Sequence, residues 1–444
     1  MNREILRIAI PNIISNITVP LMGIASTVIA GRVAGSDGAT TIGALSIGVA
    51  IFNFIYWNCS FIRMGTSGLT AQAFGAEQHK DYTLMLWRAV VVALGVGLVA
   101  FALQWPIGEF SLWFMSTGDA VSDEMISQYF YTRIWAVPAG IMLFAFNGWL
   151  TGMQNAVVPM AVAIMVNIIH IIFSYLFAIV GSWGLEGIAL ASVVAQWTGV
   201  VATVAIIVVM YRKRLVAVDW HEIVDLESMK KFFSINSDII VRTFCLVAVY
   251  TFFTKASADM GDKNILAVNT ILLQLFTLFS YMNDGFAYAA EALTGRFIGA
   301  RDGVSLRKCV KLCVIWCFVV SFIYVGVYVG WWRDIFSMLV DSSNNNSAEL
   351  IAVAEQYIGW IIAIPIACAL PFVMDGIMVG ATRSRIMRNS MVWSSVCYFA
   401  LLYGTGWLIG NNAIWLAFTS FMFLRGVFQY FMSNRLKDIY SEAE

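Results

Sequence analysis

Between Ile134 and Leu185 the chain carries no Asp, Glu, Lys or Arg. Such a stretch is too apolar for the surface of a soluble domain and too long for one bilayer crossing, which takes roughly 20 apolar residues. It must cross, turn at the polar sequence GMQNAVVP (152–159) and cross back. The stretch from Asn389 to Leu424 repeats the pattern, with its turn at GNN (410–412). Across the 444 residues, 60% are hydrophobic and 12% charged, against about 25% charged in an ordinary soluble domain. Apolar windows bounded by Gly, Pro and charge clusters predict twelve membrane helices, centred near residues 20, 53, 95, 142, 168, 197, 246, 280, 320, 365, 398 and 423. The run following MNREILR has no A-x-A-like cleavage site and is expected to be the first helix, retained.

An even number of spans puts both termini on one side. The basic segments YRKR, Lys230 with Lys231, RKCVK and TRSRIMR fall on that side with both tails, which makes it cytoplasmic by the positive-inside rule. The opposite loops carry Glu109, Asp119, Asp123, Glu124, Asp334, Asp341 and Glu349. The expected location is a bacterial inner membrane. Between the halves, DWHEIVDLESMKKFF pairs Asp219 with Glu222 in a capping arrangement and spaces Ile223, Leu226, Met229 and Phe232 for one surface helix.

The chain repeats itself. GLTAQAFGAEQ at 68 returns as ALTGRFIGARDG at 292, an offset of 224. RIAIPNIISN at 7 pairs with FSINSDIIVR at 233, IWAVP at 134 with IIAIP at 361, NGWLTG at 147 with DGIMVG at 375, and GIALAS at 187 with AIWLAF at 413. The reading is a duplicated six-helix unit: an N-lobe at 1–212, a linker at 213–232 and a C-lobe at 233–444. Two repeats with an even number of spans run the same way through the membrane. That arrangement suits alternating access.

No G-x-x-x-x-G-K-[ST], H-E-x-x-H or G-x-S-x-G occurs, so neither nucleotide-driven work nor enzymatic chemistry is expected. Of seven cysteines, Cys309, Cys313 and Cys317 share one helix face. Without a nearby His or carboxylate they read as small packing residues, and no metal or cofactor is expected. The zero net charge does not bear on nucleic acid, and no nucleic-acid partner is expected.

The runs MGTSGLTAQAFGAE, DGFAYAAEALTGRFIGARDG and MDGIMVGATRSRIMRNSM, set in twelve duplicated spans, resemble the multidrug and toxic compound extrusion family in its DinF-like branch. The resemblance runs from about Ile8 to Arg425. It implies an all-α polytopic fold of two six-helix bundles around a V-shaped central cavity. It also implies a monomer set in lipid, exporting organic, often cationic, small molecules in exchange for H⁺ or Na⁺. Export of a lipid-linked or other amphiphilic precursor by a flippase is the alternative.

Against the family pattern, Ser26 stands for an Asp on the first helix, His170 and Ser174 for Asn and Asp on the fifth, and Gln196 for a Glu on the sixth. Asn167 remains, and Ser192 keeps a hydroxyl in place of Thr. The C-lobe retains Asp238 and Arg242, spaced to pair at i, i+4, together with Asp284, Glu291 near Arg296, and Asp375. Intramembrane carboxylates cost about 2.5–3.5 kcal/mol each at a helix centre and are kept for partners or function. His170 reads either as a satisfied packing residue or as a titrating group.

Overall fold

The computed structural model describes residues 1–33, 38–116, 118–339 and 347–443. Asp341 falls outside them. Every regular element among these residues is helical, as a bilayer demands of any backbone that cannot close into a barrel. Twelve long helical segments follow in order: α1 (Asn2–Ala30), α2 (Gly38–Gly75), α3 (His79–Ala102), α4 (Ala120–Gly152), α5 (Val157–Val180), α6 (Gly184–Tyr211), α7 (Leu226–Asp259), α8 (Lys263–Gly299), α9 (Gly303–Leu339), α10 (Ser347–Gly380), α11 (Ser384–Ile409) and α12 (Asn411–Met432). Among the described residues, eleven helices are long and apolar enough to cross a membrane. The remaining segment, α11, has 26 residues. Hydroxyls in the spans bond back to their own helix, as Thr203 does to the Gly199 carbonyl at 2.7 Å and Thr243 to that of Ile239 at 2.9 Å.

Both expected hairpins are present. The second turns on Gly410, whose φ of 54° and ψ of −130° suit glycine alone. The described residues form two compact units, one of Ile14–Phe232 and the other of Met1–Ile13 with Phe233–Glu444. This division departs from the expected boundaries at both ends: residues 1–13 group with the second half and 213–232 with the first.

Within each unit the same sequence repeat makes the same crossing. In the first, a Cβ on Gly148 of α4 would lie 2.4 Å from the Arg63 carbonyl oxygen of α2, and one on Gly152 would lie 2.6 Å from Thr70 Cβ. In the second, a Cβ on Gly376 of α10 would lie 2.2 Å from the Ala287 carbonyl oxygen of α8, and one on Gly380 would lie 2.3 Å from that of Glu291. Glycines four apart let membrane helices touch backbone to backbone. Matching helix ends carry matching caps: Glu77 and Arg301, then Gln154 and Thr382, all have φ between 52° and 61°. Each is followed by the six-residue closing bond of a Schellman turn, Gln78 N–H to Ala73, Asp302 to Phe297, Asn155 to Leu150 and Arg383 to Met378.

The linker differs from the single surface helix expected. The capping box of Asp219 and Glu222 forms, but its helix ends after Trp220–Ile223. Arg88 of α3 explains the stop, because its Nε donates to the Ile223 carbonyl at 3.0 Å and Nη2 to that of Glu222 at 2.7 Å. Those carbonyls would accept the next helical bonds. Asp225 then opens α7, accepting the Ser228 N–H at 3.0 Å.

Gly376→Ala is expected to lower the melting temperature of the detergent-solubilised protein, since overpacking costs about 1–3 kcal/mol. Gly326→Ala, where a Cβ meets nothing within 4 Å, should leave it unchanged or slightly raised. Equal melting temperatures for the two variants would remove the α8–α10 glycine crossing as a stabilising element.

Candidate functional site

In the first unit four of the six anticipated residues meet. His170, at the middle of α5, holds Ser26 Oγ of α1 at 3.0 Å and Ser174 Oγ at 3.4 Å on Nε2, and Ser192 Oγ of α6 at 3.3 Å on Nδ1. All four side chains are at most 7% exposed. Ser26 Oγ also lies 3.0 Å from the Met22 carbonyl, and Ser192 Oγ 3.3 Å from that of Ile188. Each hydroxyl has one proton to give, to the ring or to its own helix. A neutral imidazole takes a proton from one hydroxyl and donates to another, whereas an imidazolium donates from both nitrogens once the hydroxyls turn to their carbonyls. The knot satisfies either state by rotating hydroxyls. Directly after Ser174 the helix widens into a π-turn, Tyr175–Val180, a feature often found beside functional sites.

Gln196, one turn beyond Ser192, instead accepts from the Tyr56 hydroxyl at 3.0 Å. Asn167 is half-buried and has no side-chain hydrogen bond among the described residues. Sequence reading missed Arg133 of α4, 7% exposed, which bonds the Tyr129 hydroxyl and lies 4.8 Å above the Phe52 ring. Its charge reaches both His170 and Tyr56. The available signal was isolation, for Arg133 is the only formal charge between Glu124 and Glu186.

The second unit is built on charge. Asp375 of α10, 6% exposed, accepts Arg242 Nη2 of α7 on Oδ2 at 2.5 Å and Gln429 Nε2 of α12 on Oδ1 at 2.6 Å. Arg425, one turn before Gln429, lies 3.4 Å from the same Oδ2. The expected pairing of Asp238 with Arg242 is therefore wrong. Asp238 instead accepts Arg388 Nη1 at 2.6 Å and Ser384 Oγ at 2.8 Å, both from α11. Spacing four apart makes two residues neighbours along one helix, but tertiary packing gave each a partner on another. Glu291 is buried where α8 passes under Gly380, and Arg296, its expected partner, bonds Glu4 at 3.3 Å. Asp284 is half-buried, and its charge reaches Tyr250 and Tyr281. Arg425 and Gln429 were missed, although Arg425 is the only formal charge between Asn389 and Asn434. Cys309, Cys313 and Cys317 are buried, with the first two sulfurs 3.9 Å apart.

Comparison with known proteins matches residues 11–176 and again 239–404 to the family described as MatE. The two matches are offset by 228, in keeping with the duplication. The chain is 30% identical to DNA damage-inducible protein F of Escherichia coli (strain K12), covering 96% of this chain and 90% of that one. It is 22% identical to the probable multidrug resistance protein NorM of Pseudomonas syringae pv. tomato over 92% and 88%. Among solved structures it is similar in fold to the eukaryotic MATE transporter AtDTX14, with a TM-score of 0.84 at 16% identity, covering 100% of this chain and 97% of that one. A MOP superfamily transporter from Pyrococcus furiosus gives 0.84 at 15% identity over 99% and 96%.

Asp375→Asn leaves two buried guanidinium groups without their shared carboxylate, and breaking such a pair costs about 3–5 kcal/mol. Asp238→Asn should cost less, because its partner Arg388 is 37% exposed. Thermal unfolding of both variants in detergent checks the order.

Proposed function

Because this chain belongs to the MatE family, we propose that it is a secondary active exporter of organic, often cationic or amphiphilic, small molecules, driven by inward exchange of H⁺ or Na⁺. It is a multi-pass membrane protein of a transporter family, not an enzyme. The observation that carries the reading is kinship over nearly the whole length with proteins that include ones named for multidrug resistance. The buried ionisable groups support it, since charges retained in membrane helices mark ion or substrate pathways.

In this reading Asp375 and His170 are the coupling groups. A proton or sodium ion arriving at Asp375 competes with Arg242 for the same carboxylate oxygen. His170 takes and releases a proton by hydroxyl rotation, so the first half keeps a proton site after losing its acids. Asn167, Gln196, Asp284 and Glu291 serve substrate or ion passage, while Asp238 anchors α7 to α11. A flippase for a lipid-linked or amphiphilic precursor is the second reading, favoured by the buried Arg425 and the partly buried Arg242 beside it. The protein acts as a monomer in a bacterial inner membrane with both termini in the cytoplasm. A C-terminal GFP fusion expressed in bacteria should therefore fluoresce.

Uptake of a fluorescent organic cation into proteoliposomes, under a proton or a sodium gradient imposed separately, tests the proposal. One gradient should accelerate it, and acceleration by neither sinks the exporter reading. His170→Gln should reduce proton-driven transport by about tenfold, within the usual range of coupling energies. Unchanged rates would leave Asp375 as the coupling group.

A further inference from the structure

The donors around Asp375 outnumber their acceptors. A guanidinium presents five N–H donors, yet Arg425, only 2% exposed, has a single ion-pair partner among the described residues, Asp375 Oδ2 at 3.4 Å. Its remaining support is the Phe372 ring, 5.5 Å from Cζ. Arg242 gives one hydrogen bond, through Nη2. The Nε atoms of both arginines are buried without a partner, as is Oε1 of Gln429. Asp284 is a further carboxylate whose charge reaches this region, for it and Arg425 both act on Tyr250. Its charge gives the unpaired Nε donors no hydrogen-bond partner.

Buried polar groups ordinarily find partners, and a fork of unpaired guanidinium donors fits the oxygens of a carboxylate, sulfonate or phosphate. An organic cation gains nothing from it. We propose that Arg242 and Arg425, on either side of Asp375, bind the oxyanion head of an amphiphilic substrate. This inference rests on the exporter reading and names the chemistry that its second-half site accepts. Arg242, 13% exposed, is the more accessible of the two arginines and meets the head first. Arg425 lies deeper, against Phe372 and within electrostatic reach of Tyr250.

The test is equilibrium binding to the full-length protein in nanodiscs of zwitterionic lipid, with no gradient imposed, so that it is read independently of transport. Two probes share a ring and tail and differ in charge: 1-pyrenebutanesulfonate and 1-pyrenebutyltrimethylammonium. The wild type should bind the sulfonate more tightly. Arg425→Gln should weaken sulfonate binding by at least about tenfold, as loss of a buried charged hydrogen-bond partner does, with a much smaller change for the ammonium probe. Arg425→Lys, which keeps charge but loses the fork, should fall between. Should Arg425→Gln fail to fold, Arg425→Gln combined with Asp375→Asn removes one charge of each sign and decides the matter. Should that also fail, the wild-type preference between probes decides. Arg333→Gln, at an exposed ion pair with Glu355, should alter neither probe.

Equal affinities, preference for the ammonium, or undiminished sulfonate binding by the double variant would overturn the inference. Displacement of the sulfonate probe by farnesyl diphosphate at lower concentration than by an alkyl sulfonate assigns the head to a prenyl-linked precursor, and the reverse assigns it to a free amphiphile. If cations are transported but sulfonate is not bound, this inference fails while the exporter reading stands. If sulfonate is bound and no gradient drives any substrate, the exporter reading fails instead.

Discussion

A bilayer offers no hydrogen-bonding solvent, so each polar group within a span must find its partner in the protein. Much of this structure follows from that constraint. Asn269 of α8 shows how fully it can be met: its amide donates to Ser257 at 2.8 Å and Asn411 at 2.7 Å, while its carbonyl accepts from Asn411 at 3.1 Å and Trp415 at 2.8 Å. One side chain thereby ties α7, α8 and α12 together. His170 meets the same demand with three serine hydroxyls. Around Asp375 the demand is met for the carboxylate and left open for the arginines, and such a shortfall in a membrane protein is better explained by a ligand than by stability.

The duplication separates architecture from chemistry. Glycine crossings and left-handed helix caps recur in both units at offsets of 224 and 228, because they are set by backbone geometry that either copy needs to fold. The side chains that do chemistry have diverged. Asp375 begins the DGIMVG repeat, and the matching position in NGWLTG is Asn147, so one unit carries a charge where the other carries an amide. The first unit gathers neutral hydroxyls about an imidazole within electrostatic reach of a buried cation, Arg133. The second gathers two cations about an acid. A transporter of duplicated halves can thus assign different tasks to equivalent places without disturbing the crossings that hold each half.

The legible part of the site followed the same division. Ser26, His170, Ser174 and Ser192 could be anticipated as a group because a family pattern lays polar positions on the first, fifth and sixth helices. Arg425 and Gln429 had no such pattern, although a lone charge in a long apolar window is itself a signal. The linker was misread because periodicity cannot show that Arg88, more than 130 residues away, takes the carbonyls on which the helix would continue.

Twelve spans, their turns at GMQN and GNN, the duplication and the absence of soluble-enzyme chemistry were all determined by the sequence alone. Each rests on local hydropathy or on self-similarity, and both are properties of the string of residues. Which carboxylate meets which arginine was decided only by the tertiary structure. Asp238 and Arg242 stand four apart on α7, yet each turns to a different helix, one to Arg388 and Ser384 and the other to Asp375. The rotation of a helix about its axis is set by what packs against it, and a mostly apolar membrane helix gives little in its own sequence to fix that rotation.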